Sequence, residues 1–103
     1  MAGLHHSVEH LEKVLTMLRQ SLDHKDAAAI MLATREVGVA IDAVRARQSE
    51  VISPEIRSRL EAMVPMIENA RMRVNVAADD VRRRIDHLAQ QGVEQASSLY
   101  GRR

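Results

Sequence analysis

Two histidines near the start of the chain have the spacing of metal ligands. His6 and His10 lie four residues apart with Glu9 between them, so on a helix both imidazoles would face the same side. A stable zinc site needs three or four ligands, and only Glu9 and His5 are close enough to add one, in poor geometry. We therefore expect a solvated helix end at this position, with no metal and no cofactor.

An arginine triplet at 82–84 is the second group that could do chemistry, since adjacent guanidinium groups can hold phosphate. However, Asp79, Asp80 and Asp86 lie at ion-pairing distances along a helix from the triplet, and Tyr100 is the sole aromatic residue available to stack on a base. The formal net charge of the 103 residues is only +1. So small a charge does not attract nucleic acid. We expect a charge-paired solvent face and no nucleic-acid partner.

Catalysis has no visible basis in this sequence. No nucleophile lies at a suggestive spacing from a base, and there is no glycine-rich phosphate loop and no metal triad, so we predict that the protein is not an enzyme. The absence of cysteine excludes disulfides and suits a reducing compartment. No apolar run approaches the ~18 residues of a membrane span. We expect a cytoplasmic protein that does not insert into membranes.

Helices must position whatever surface the protein uses, because only four glycines and two prolines interrupt the chain. An apolar seam at alternating steps of four and three comprises Leu4, Val8, Leu11, Leu15, Leu18 and Leu22. The seam then continues at eleven-residue steps to Ala33 and Val44, which one continuous helix could carry. The alternative is a break at 23–26, with Asp26 capping a new helix. We favour one helix over about residues 4–51, since neither glycine nor proline lies at the possible break.

A second helix region is predicted over about residues 54–91. Ser53, Pro54 and Glu55 have the residue types of an N-cap, a first helical position and an acidic first turn. Pro65 should bend this helix or open its turn around Glu61. Gly92 is a candidate helix stop, after which residues 92–103 form a tail that either docks as a short amphipathic helix or frays.

The expected fold is therefore all-α, a single helical domain over residues 1–103. It is either an antiparallel hairpin of long helices or a three-helix bundle, with coiled-coil-like packing. Apolar residues make up 46% of the chain, and two long helices cannot bury them all against each other. We expect the surplus apolar surface to be covered by a homo-oligomer or by a protein partner.

The C-terminal part of the chain resembles one known family. The pattern consists of Asn69 and Asn75 in a long helix, then Val81, Ile85 and Leu88, a short polar gap, and Leu99-Tyr100-Gly101. Over about residues 56–101 this resembles the FlgN-type flagellar export chaperones, in which Asn75 and the pair Tyr100-Gly101 are the most specific elements. Members of that family are small cytoplasmic proteins of long antiparallel helices that escort hook–filament junction proteins to the flagellar export gate.

The resemblance implies a site as well as a fold. It implies that the helical region near the C-terminus clasps an amphipathic helix of the export substrate, and that Tyr100 helps to dock the export gate. We expect an apolar groove for the substrate with a flexible methionine edge, and a tail anchor. The expected partner-binding residues are Met66, Ile67, Met72, Val74, Asn75, Val81, Ile85, Leu88, Leu99 and Tyr100. The alternative is a structural coiled-coil or bundle protein that associates with itself and binds no cargo.

Overall fold

A computed structural model describes residues 3–100 of the chain, and its side chains as far as residue 97. The described part contains three helices and no strand: α1 (Gly3–His24), α2 (Ala27–Arg45) and α3 (Pro54–Tyr100). The all-α prediction is confirmed. None of the three helices is both long and apolar enough to cross a lipid bilayer over the described range.

Helix α1 forms because its apolar residues share one face, and that face is the centre of the core. The buried side chains of α1 are Leu4, Val8, Leu11, Val14, Leu15, Leu18 and Leu22. Helix α2 covers this face with Ile30, Ala33, Val37 and Ala40. A buried aliphatic side chain stabilises the fold by about 1.5–3 kcal/mol, so this shared face holds α1 and α2 together.

The first helix region is not continuous, so the favoured helix over residues 4–51 is wrong, and the alternative, a break at 23–26 with Asp26 capping a new helix, is confirmed. Lys25 adopts a left-handed conformation with φ 55°, and its N–H donates to the Leu22 carbonyl across 3.2 Å. The Asp26 N–H donates to the Ser21 carbonyl across 3.4 Å, which completes a Schellman-type end for α1. The Asp26 carboxylate then caps α2 by accepting from the Ala29 N–H at 3.2 Å.

Tertiary burial explains why the break occurs without glycine. A non-glycine residue in the left-handed region costs roughly 1–2 kcal/mol. The break lets α2 fold back on α1 and bury Ile30, Ala33 and Val37, which a single straight helix would expose. Several buried aliphatic side chains outweigh one strained backbone position.

Helix α3 begins where the sequence predicted. The Ser53 hydroxyl accepts from the Ile56 N–H at 3.2 Å, and Pro54 is the first helical residue. Beyond its start, α3 differs from the prediction because it runs for 47 residues to Tyr100. It remains helical at Glu61, Pro65 and Gly92, so neither the local opening near Pro65 nor the stop at Gly92 is present. Gly92 also lacks the positive φ of a helix-terminating glycine.

Helix α3 runs in the same direction as α1. Arg59, near the start of α3, donates to the carboxylate of Glu12. Further along, the Arg73 Nη2 donates to Asp23 Oδ1 across 2.7 Å. Along this stretch α3 packs on the core through Ile56, Met63 and Ala70, which lie at seven-residue steps. The result is an up-down-up bundle in which α1 contacts both other helices.

The length of α3 exceeds what the bundle can cover. At 1.5 Å per residue its 47 residues span roughly 70 Å, whereas the 22 residues of α1 span roughly 33 Å. The longest dimension of the molecule is accordingly 76 Å. Every residue from 78 to 97 is exposed. We call this stretch, residues 78–97, the arm.

Candidate protein-binding arm

One face of the arm is apolar although no other helix covers it in the described part of the chain. Ala78, Val81, Ile85 and Leu88 follow each other at steps of three, four and three, so they line one side of the helix. Val81 is 44% exposed, Ile85 59% and Leu88 65%. We call these four residues the stripe.

The stripe continues the face by which α3 packs on the bundle. Leu60, Ile67, Val74, Val81 and Leu88 lie at seven-residue steps along the helix. The first three pack against the buried core, and the last two lie exposed on the arm. An a/d-type seam of this kind is built to meet another helix. Within the bundle it meets α1, and on the arm the described structure contains no helix to meet it.

Arginines border the stripe on both edges. At about 100° per residue, Arg82 lies to one side of the line from Val81 to Leu88 and Arg84 lies to the other. Each is tied to its own helix, since Arg82 Nη1 lies 3.3 Å from Asp79 Oδ1 and Arg84 Nη2 lies 3.0 Å from Asp80 Oδ2. All four side chains are exposed, so these intrahelical pairs contribute little to stability.

The structure distributes the predicted binding residues differently from a groove. Ile67 and Val74 pack against the core and are partly buried there, so only part of each side chain is open to a partner. Met72 is exposed, but about 160° around the helix from Val74 and therefore on the opposite face. The stripe residues follow one another along a single helix, so they form a ridge with no opposing wall. Among the described residues the predicted groove is therefore a ridge, and the partner-binding role of these residues stays a prediction.

A real groove does exist, but on the bundle. It has a volume of about 260 Å³ and lies between α1 and α3, where Leu15 and Leu22 face Pro65 and Met66. Met66, a predicted partner-binding residue, lines this groove. The polar side chains that line it, Arg19, Asn69 and Arg73, are not buried, so the groove lacks the buried polar group that would orient a small ligand.

The remaining predicted residues lie at the two ends of the arm. Asn75 is exposed just before the arm begins, beside the last residues that contact the bundle. Leu99 and Tyr100 fall in the last turn of α3, and their side chains lie outside the described residues. The roles assigned to them remain predictions.

Sequence reasoning missed the position of the arginines relative to the stripe. It treated the triplet at 82–84 as one solvent face, whereas Arg82 and Arg84 border the apolar face and only Arg83 points away. The sequence alone could have predicted this arrangement, because successive residues lie about 100° apart around any helix. The exposure of Leu32 and Val39 on α2 was also not anticipated.

The histidine cluster has solvated surroundings. His6, Glu9 and His10 are exposed on α1, and the nearest charged contact joins His5 Nε2 to Glu9 Oε1 at 3.9 Å. Among the described side chains, no three His, Cys, Asp or Glu residues converge in a way that could hold a metal ion. On the other side of His5, Arg59 Nη1 lies 3.4 Å from its Nδ1. The hydrogen bond that Arg59 donates to the Glu12 carboxylate raises the pKa of Arg59, so this guanidinium stays charged and ties α3 to α1.

The chemistry that this surface offers is apolar contact flanked by ion pairing, which suits binding between helices. Neither a family model, nor a curated protein, nor a solved structure matches the chain.

Proposed function

We propose that this protein is a helix-binding adaptor of the chaperone type, which holds an amphipathic helix of another protein along the stripe of its arm. The observation that supports the proposal is the uncovered continuation of the packing face of α3 beyond Val74. Twenty consecutive helical residues stand clear of the bundle while keeping an apolar face at helix-packing spacing. A second helix is the element whose own apolar seam matches such a face.

The expected binding is weak and reversible. Val81, Ile85 and Leu88 are each about half exposed, so covering them contributes about 2.5–5 kcal/mol at the usual 1.5–3 kcal/mol per fully buried side chain. Contacts along the rest of the arm add to this, and the cost of association subtracts from it. Reversible binding suits a protein that covers a segment and then releases it.

A narrower proposal rests on the resemblance over residues 56–101. In it the bound helix belongs to a hook–filament junction protein, the complex forms in the cytoplasm, and Tyr100 contributes the contact with the flagellar export gate. The pattern from Asn75 through the stripe to Tyr100-Gly101 supports this version. Asn75 lies just before the arm and Tyr100 just after it. A segment bound along the arm would therefore have one of these residues near each of its ends.

The general proposal is tested by a pair of substitutions on the same helix. Ile85→Asp puts a charge in the stripe, and Val76→Asp puts one on the opposite side, at a valine that is 60% exposed. Each variant is titrated with a labelled helical segment of a hook–filament junction protein, and circular dichroism checks the fold. We expect Ile85→Asp to weaken binding at least about tenfold and Val76→Asp to leave it unchanged. Equal binding by both variants would contradict the proposal.

The role of the tail is tested separately. Tyr100→Ala should leave the melting temperature and the affinity for the helical segment unchanged while weakening the copurification of export-gate components. If the variant copurifies with the gate as well as the wild-type protein does, the proposed gate contact is wrong.

Self-association is the second candidate function, because a seam with heptad spacing is also what a homomeric coiled coil presents. Sedimentation velocity over a range of protein concentrations distinguishes the two. A stable oligomer that Ile85→Asp dissociates, and that binds no helical segment, would assign the stripe to a structural role.

A further inference from the structure

We propose that the helix held by the arm is acidic, with carboxylates along the edges of its apolar face. This inference rests on the proposed function and names the chemistry of the partner at the same site. The evidence is the way in which α3 already recognises α1 inside the bundle.

Within the bundle, arginines at the edge of α3 meet carboxylates at the edge of α1. Arg59 donates to Glu12, and Arg73 donates to Asp23 at 2.7 Å, on either side of the buried contacts made by Met63 and Ala70. The recognition pattern of α3 is thus an apolar seam with arginines beside it. Its partner α1 supplies an apolar seam with carboxylates beside it.

The arm repeats this pattern of an apolar seam with arginines beside it, beyond the point where α1 ends. Arg84 follows Arg73 by eleven residues, and Arg82 follows Arg71 by eleven, a step that rotates the position only about 20° around the helix. Arg84 therefore continues the edge that Arg73 occupies, and Arg82 continues the opposite edge. The carboxylates of Asp79 and Asp86 lie farther around the helix, away from the stripe. A helix that extends the role of α1 along the arm would meet arginines at both edges.

The present partners of these arginines do not prevent such contacts. Arg82 and Arg84 pair with Asp79 and Asp80 on their own helix, in exposed pairs at 3.3 and 3.0 Å. Exposed pairs along a helix are weak, and a long arginine side chain reorients at little cost. Carboxylates on an approaching helix could therefore replace or share them.

A second copy of this arm would fit less well than an acidic helix. It would bring an apolar stripe of its own, but with Arg82 and Arg84 at the edges in place of carboxylates. Charge complementarity, which α1 provides inside the bundle, would be lost. The observations therefore favour a partner of a different sequence with acidic edges.

The test uses three synthetic peptides of about 25 residues that share one Leu/Ala seam. They carry Glu, Gln or Lys at the positions that flank the seam. Each is labelled with fluorescein and titrated with the full chain, and anisotropy reports the dissociation constant. We expect the Glu peptide to bind at least about fivefold more tightly than the Gln peptide, and the Lys peptide to bind most weakly. The preference should shrink as salt is raised from about 50 to 500 mM.

Charge reversal on the arm provides the matched control. The double variant Arg82→Glu/Arg84→Glu should prefer the Lys peptide, whereas Arg83→Glu, which places the same charge on the far side of the helix, should keep the wild-type order. The neutral double variant Arg82→Gln/Arg84→Gln should bind all three peptides with similar affinity. This neutral variant shows whether a changed peptide preference in the charge-reversed variant comes from a disturbed fold. Circular dichroism of every variant provides a second check.

The outcomes separate this inference from the proposed function. If all three peptides bind equally and Ile85→Asp abolishes the binding, the arm binds helices and the charge inference is wrong. If no peptide binds, the proposed function fails and this inference fails with it. If the free protein is a dimer that Ile85→Asp dissociates and that binds none of the peptides, the stripe belongs to a second copy and both are overturned.

Discussion

Arg73 of α3 donates to the carboxylate of Asp23 across 2.7 Å, one residue before α1 ends. This contact marks the last place where α3 has α1 beside it. Upstream, Met63 and Ala70 are buried, and from residue 78 to residue 97 no side chain is buried. The two halves of one continuous helix therefore differ in what stabilises them, namely tertiary packing in the first half and local interactions in the arm.

Hydrogen exchange should detect this difference directly. An isolated helix of about 20 residues is marginal in water, so amides of the arm should open locally without unfolding the bundle. We expect protection factors of about 10 or less in the arm and protection close to the global limit at Leu11 and Leu15. Exchange followed by mass spectrometry or NMR at low protein concentration measures both. An arm as well protected as α1 would mean that another molecule covers it.

Two glycine substitutions should separate the stability of the bundle from that of the arm. Gly38 lies inside α2 and Gly92 inside the arm, and a Cβ at either position would meet nothing within 4 Å. Alanine at each site should favour the helix by about 0.5–1 kcal/mol. Gly38→Ala should therefore raise the melting temperature by several degrees. Gly92→Ala should increase the ellipticity at 222 nm without changing the melting temperature, and a matching rise in both variants would contradict the independence of the arm.

The turn between α1 and α2 should respond in opposite directions to two neighbouring changes. Lys25→Gly removes the cost of a side chain at φ 55° and should stabilise the protein by up to about 1 kcal/mol. Asp26→Ala removes the acceptor of the Ala29 N–H and should destabilise it by about 1 kcal/mol. Urea unfolding measures both free energies. Asp26→Asn is the control, since asparagine caps a helix about as well as aspartate.

The contact between Arg59 and Glu12 should make a salt-dependent contribution to stability. Arg59→Gln should lower the melting temperature at low ionic strength, and the difference should narrow in about 0.5 M salt because the pair is partly exposed. Arg57→Gln, at an exposed neighbouring arginine, is the control and should change little.

The pH dependence of this contribution follows from the direction of the pKa shift. Glu12 raises the pKa of Arg59 above its ordinary value, so the folded state binds that proton more tightly than the unfolded state does. The stabilisation is fully present below the ordinary pKa of arginine and is lost only above it. The difference between Arg59→Gln and the wild-type protein should therefore be constant from roughly pH 7 to 10. A difference that fell within that range would contradict this origin.

Local signals in the sequence predicted some of these elements correctly. The seam from Leu4 to Leu22 is buried, and the cap at Ser53 starts α3 at Pro54. Asp26 indicated the break only as an alternative to one continuous helix, because lysine, which stands at the preceding position, carries no preference for the left-handed region. Its cost is offset by the burial of α2 against α1, which is a property of the tertiary structure. Gly92 illustrates the reverse case, in which a typical stop residue is passed over by a helix with good helix formers on both sides.

At the candidate site, too, local sequence pattern was predictive, whereas the tertiary contacts that cover part of the apolar face were not predicted. Periodicity identified one apolar face running from Ile67 to Leu88, but it could not separate the covered residues from the free ones. Val74 and Val81 are equivalent in spacing and residue type, and they differ only because α1 ends at His24. That end depends on the break at Lys25, so a wrong prediction there carried over to the predicted groove.

The unbroken course of α3 has a geometric consequence for what the arm can hold. Since the helix passes from the bundle into the arm without a joint, the direction of the stripe is locked to the orientation of Met63 and Ala70. One residue inserted after Asn75 would turn the distal face by about 100° and advance it by about 1.5 Å, while seven would restore nearly the original phase. The bundle thus fixes the direction in which the arm presents its stripe. Deletions or insertions between the bundle and the arm would change the orientation of a bound molecule without altering either surface.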